Sequence, residues 1–187
     1  MGTLSKNEAI QQSNNHLTSI KKDIPVHNAG FVLVSGFIDI LFQRLKLTEK
    51  QRFTSLENQI KAVHSLQYLI TGLAGTDQNY LFLNKVLCGF SINEIIPDEI
   101  EIPEENKALI NGLLYAAIGH WSEIGNSSID GFRANWLIRD GSLLELEDRW
   151  ELTVQRKAYD VLLSKSSFYF SIVRYPWMSK PLHVNWL

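Results

Sequence analysis

A chain of 187 residues with 45% hydrophobic, 20% charged and 11% aromatic side chains is sized for one domain burying roughly 70% of its unfolded surface, too apolar for disorder and too broken by charge for a membrane bundle. Eighteen Lys plus Arg against twenty Asp plus Glu leave a formal charge of -2, so no global field draws nucleic acid or anionic lipid. Cys88 is the only cysteine, which excludes an internal disulfide and suits a reducing cytoplasm.

The opening MGTLSKNEAIQQSNN has no apolar core of an export signal, and no run reaches the roughly 20 apolar residues of a membrane span. Gly2 does not mark myristoylation, because Lys6 stands where Ser or Thr is required. Residues 1–27 are polar and read as a flexible N-terminal arm, ahead of a single domain over 28–187. From Asn28 to Leu47, Phe31, Val32, Ile38, Leu41, Phe42 and Leu45 recur at helical spacing, with helix favoured from Gly36 onward.

A core-facing helix over 56–73 places Leu56, Ile60, Val63, Gln67, Ile70 and Leu73 on one face and stops at Gly72. Asp77 caps the next helix, with Tyr80, Leu83, Val86 and Leu87 as its stripe and Gly89 as its left-handed stop. Residues 90–102, with Pro97, Asp98, Glu99 and Glu101, form an acidic connection. Pro103 opens a helix whose stripe is Leu109, Leu113, Ala117, His120, Trp121 and Ile124. Ser127 or Ser128 caps another, carrying Ile129, Phe132, Trp136 and Leu137 inward, with Asp130 and Arg133 one turn apart.

The period then changes from helical to two. Trp150, Leu152 and Val154 alternate with Glu151, Thr153 and Gln155, completing a β-hairpin begun near residue 142. A short helix over 158–165, a strand from Phe168 to Arg174 and a last strand from Leu182 to Trp186 follow, broken by Pro176 and Pro181. Helices before strands give an α+β fold, a helical N-terminal layer followed by a small, mostly antiparallel C-terminal sheet.

The residues support little chemistry. No two of the five histidines are three or four positions apart, and no second cysteine completes a zinc site. His64 and His120 read as packed rings, and Cys88 as a small hydrophobe at a helix end. There is no G-x-S-x-G elbow, P-loop or dinucleotide fingerprint. Glu94, Asp98, Glu101, Glu145 and Glu147 lie in wet segments that would not raise a carboxyl pKa. Asn126-Ser127-Ser128 matches a glycosylation sequon that matters only in a secreted eukaryotic protein. No catalytic, cofactor-binding or metal-ligating residue is assigned. All five tryptophans lie at position 121 or beyond, and Trp177, Met178 and Trp186 are the candidate anchors of a subunit interface.

Several blocks, in order, resemble the C-terminal module of the tape measure proteins of contractile, phage-tail-like injection systems. They include Asn28-Ala29-Gly30, Ala62 to Leu69, Leu83 to Gly89, His120-Trp121, Ser128 to Arg133, Arg139-Asp140-Gly141, Tyr159 to Leu163, Pro176-Trp177-Met178 and Val184-Asn185-Trp186. The family carries a long helical ruler before this module, whereas only about 27 polar residues precede it here. Even fully helical, 187 residues would extend only about 280 Å. The resemblance therefore implies a structural component and no enzyme: a cap or terminal adaptor docking on tube, sheath or cap subunits in a symmetric multi-copy assembly. Such a particle is assembled in the bacterial cytoplasm and can be released. The alternatives are an assembly accessory or chaperone and, more distantly, a small hydrolase using Cys88 with His64 or His120.

Overall fold

The computed structural model describes residues 23–166 and 168–186. Of the expected arm, residues 1–22 lie outside this range, while Ile24–Val26 form strand β1. That strand pairs antiparallel with Gly141–Glu145 (β4), Ile24 opposite Leu143 and Val26 opposite Gly141. Pro25 is tolerated because β1 is the sheet edge, where a missing N–H breaks no ladder on the open side.

The next nine residues, Ala29–Phe37, form a 3-10 helix, so helical structure begins ahead of Gly36, from which the sequence favours it. Ala29 through Ser35 are all buried, so the segment runs through the interior, apolar on every side, and shows no amphipathic period. It passes directly into α1 (Ile38–Arg44). A small hairpin, Thr48–Glu49 (β2) with Arg52–Phe53 (β3), joins α1 to α2 (Leu56–Thr71).

Helix α2 has the expected limits. Ser55 caps its start by accepting from the Asn58 amide at 3.1 Å, and Gly72 ends it in the left-handed region at φ 76°. From Ala62 to Ile70 every residue but Tyr68 is buried, but Leu56 at its first position and Leu73 just beyond its stop, both expected on the inner face, are more than 60% exposed. Asp77 caps only a 3-10 turn, Gln78–Tyr80, and α3 (Phe82–Leu87) starts after it. Gly89 stops α3 at φ 80°, where the Trp177 carbonyl also approaches too closely for any Cβ.

Helix α4 spans Glu104–Gly119, with Pro103 at its N-cap. The expected stripe is met at Ala117 and Trp121, both buried, but Ile110, Leu114 and Ile118 take the other inward places, while Leu109 and His120 are exposed. Trp121, fully buried, and the 3-10 turn Ser122–Ile124 follow the helix end. Ser128 caps α5 (Ile129–Phe132) through its bond from the Gly131 amide at 3.0 Å, and α5 widens into a π turn over Arg133–Leu137. Arg133 does meet Asp130, at 3.4 Å, but its guanidinium serves chiefly to cap α2, donating to the Leu69 and Tyr68 carbonyls at 3.0 and 3.1 Å.

The sheet order is β1-β4-β5-β7-β6. Strand β5 (Trp150–Val154) turns back on β4 with Leu143 opposite Leu152, burying Trp150, Leu152 and Val154 as the alternation requires. The expected short helix over Ala158–Lys165 is present, wound as a 3-10 helix. Of the strand expected over 168–174, only Ile172–Val173 (β6) pairs. Strand β7 (Leu182–Asn185) lies parallel to β5 and antiparallel to β6. The fold is α+β, with a helical N-terminal part and a mostly antiparallel C-terminal sheet that also recruits β1.

Candidate docking surface

The three residues expected at an interface sit mainly inside the domain. Met178 and Trp186 are at most 4% exposed. Trp186 donates its indole N–H to Asp160 at 2.9 Å. Trp177 is half-buried, stacks on Tyr175 at 5.2 Å, lies 5.0 Å from the Phe53 ring and donates to the Leu87 carbonyl at 2.9 Å. In this structure Met178 and Trp186 thus hold the chain's own C-terminal segment in place, and their side chains are not offered to a neighbour.

The bare apolar surface lies elsewhere. Between Lys107 and Glu123 the sequence has no charged residue, so α4 carries apolar or small residues on its outer as well as its inner side. Ala108, Leu109, Gly112 and Ala116 face outward, four residues per step for the three small ones. With α1 they bound an open groove of about 920 Å³. Phe37, Ile40, Leu41, Leu45 and Leu113 complete its apolar lining, and Ile40 is 55% exposed. A helix apolar all round is normally covered, and exposed apolar patches of this kind mark contact sites.

Gly112 sharpens the point. It sits mid-helix, has no positive φ, and a Cβ placed there would meet nothing within 4 Å. The fold has no use for a glycine that lowers helix stability; a second helix approaching closely would have one. Charge marks only one end of the groove. Arg44, Lys46 and Glu105 stand there, and none has an ion-pair partner among the described residues.

Catalytic chemistry finds little footing. Cys88 is fully buried, and that burial raises its thiol pKa well above the usual range, leaving no thiolate at neutral pH. His64 is also fully buried, and burial lowers its pKa, so the ring is held neutral. His120 lies on the exposed side at the end of α4. No group of three or more His, Cys, Asp or Glu side chains among the described residues could hold a metal ion. No helix among them is long and apolar enough to cross a membrane.

A helix with apolar residues on both sides offers no unique phase, so a stripe drawn through Leu109 and Leu113 does not reveal this surface. The charge-free run itself was the available signal. A family model described as contractile injection system tape measure protein matches residues 2–186. No curated protein and no solved structure gives a match.

Proposed function

Because the chain belongs to the contractile injection system tape measure protein family, we propose that it serves as a cap or terminal adaptor, docking on subunits at the end of the tube or sheath in repeated copies around the particle axis. The carrying observation is the uncharged outer face of α4 with its groove against α1. The longest helices among the described residues have 16 residues, about 24 Å at 1.5 Å per residue. These residues are therefore suited to holding a neighbour, not to spanning a tube.

The occupant we infer is an amphipathic helix of a tube-end or cap subunit, laid along the groove with aliphatic residues at positions i, i+3/i+4 and i+7. The small residues Ala108, Gly112 and Ala116 let its backbone come close, and Leu109 and Ile40 flank it. A carboxylate one turn beyond its apolar stripe would meet the free Arg44 and Lys46, setting direction more than affinity.

Gly112→Glu tests this. The site is open, so the variant should keep the wild-type unfolding free energy within about 0.5 kcal/mol. Particles purified from cells producing it should lack the protein. Wild-type levels of the variant in particles would remove the groove from consideration. Absence of even the wild-type protein from purified particles would point instead to a transient assembly factor.

A further inference from the structure

A second concave site lies away from the groove, where the C-terminal end of α2 meets the segment after β1. Its volume is about 260 Å³, below the roughly 300–1,000 Å³ of pockets that hold drug-sized ligands and suited to one side chain. Leu73, Tyr80 and Ile138 line it, and each is more than 40% exposed, so three of the fold's exposed apolar side chains converge on one spot. Its inner lining is polar, made by Asn28 and Gln67, both about nineteen-twentieths buried.

These two amides belong to a chain whose direction is fixed. Asn84 Nδ2 faces the Val63 carbonyl at 3.3 Å, and a carbonyl can only accept. Asn84 Oδ1 must then face Asn28, whose Nδ2 donates to it at 2.7 Å. On the other side Asn84 Nδ2 also donates to Gln67 Oε1 at 3.1 Å. This polarity leaves Asn28 Oδ1 buried without a donor among the described residues, and it turns the Gln67 NH2 away from the network. A buried acceptor left unpaired is costly, and an incoming donor would relieve it.

On the outer rim His27 Nδ1 and Asp140 are 2.6 Å apart and both about half exposed. No Asp, Glu, Lys or Arg side chain lines the pocket, so an anionic ligand would lose its hydration there without a lining counter-charge. We propose that this pocket is a site for a neutral carboxamide, as carried by an Asn or Gln side chain of a partner polypeptide, whose NH2 donates to Asn28 Oδ1 and whose carbonyl accepts from Gln67 Nε2. The aliphatic stem of that side chain lies against Leu73, Tyr80 and Ile138. The site is independent of the α4 groove.

The test is an NMR titration of the isotope-labelled full chain with propionamide, against propionate as the anion of the same shape. Propionamide should shift the His27 ring and the Thr71 and Thr76 methyl resonances, which border the pocket, and propionate should bind at least tenfold more weakly. The capped peptides acetyl-Ala-Gln-Ala-amide and acetyl-Ala-Glu-Ala-amide extend the comparison: binding of the Gln peptide alone assigns a polypeptide partner, and binding of propionamide without either peptide assigns a free small amide. Asn28→Leu should abolish binding. Since Asn28 is buried, Leu73→Arg on the exposed rim is the second variant and should weaken binding at least tenfold. Gly112→Glu should bind propionamide as the wild type does, which separates this site from the docking groove. Equal affinity for amide and acid, or shifts that survive both pocket variants, would overturn the proposal.

Discussion

The C-terminal end of the domain and the outer face of α4 use their side chains in opposite ways. Around Arg139 nearly everything is spent internally. Its guanidinium donates to both oxygens of Asp160 at 2.9 and 3.1 Å and to the Asn135 carbonyl at 2.9 Å. It also lies 5.2–5.8 Å from the rings of Trp136, Tyr159 and Trp186. Asp160 in turn accepts from the Lys157 amide and the Trp186 indole, both at 2.9 Å. The α4 face does none of this, presenting aliphatic and small residues to solvent with three unpaired charges at one end. One region is closed on itself and holds the fold; the other is incomplete until something covers it.

Breaking the closed region should have the largest effect. Asp160→Ala leaves a fully buried guanidinium without its counter-ion and frees the Trp186 indole, and is expected to cost about 3–5 kcal/mol. Urea unfolding measures it, and a loss below about 1 kcal/mol would show that the pair is incidental to stability. His64 falls between the two regions, as buried as Arg139 yet with neither ring nitrogen hydrogen-bonded among the described residues. Burial lowers its folded pKa below the ordinary value of 6.5, while the nearby Pro97 and Ala74 backbone and Asp98 oppose that shift only in part. The unfolded chain therefore takes up the His64 proton first as pH falls. Stability from this group is full above about pH 6.5 and declines below it toward the lower folded value. Urea midpoints from pH 8 to 5 should fall on the acid side, and His64→Asn should flatten that part of the curve.

The smallest effect belongs to the open region and has the opposite sign. Gly112→Ala should stabilise the isolated protein by about 0.5–1 kcal/mol, since it adds helix propensity and disturbs nothing. Paired with weaker incorporation into particles, that gain would show a glycine kept for contact at the expense of the fold. A gain in both would mean that Gly112 is not a contact point.

How much was legible depended on whether a segment had one buried side. Strand β5 alternates cleanly between inside and outside, so its sequence pattern carries its orientation, and the ends of α2 and α3 are written locally in Ser55, Gly72 and Gly89. The segment Ala29–Phe37 and helix α4 do not alternate. The first is buried on every side and the second, from Ala108 onward, carries apolar or small residues outside as well as inside, and in both cases periodicity is silent about phase. Strand β1 was hidden by its brevity and by Pro25, which only an edge position forgives. The Asn28, Asn84 and Gln67 chain could not be read either, because no local rule joins amides 17 and 56 residues apart.

The sequence by itself determined the family, the order of helices before strands, the helix stops at Gly72 and Gly89, and the lack of a recognisable catalytic motif, because these depend on residue identity at short range. Only the tertiary structure decided that Met178 and Trp186 turn inward, that β7 runs parallel to β5, and that Ile40 and Leu109 remain uncovered. Burial is settled by competition among distant segments for the same interior. In that competition Trp186 found partners in Asp160 and Arg139, and the outer side of α4 found none among the described residues.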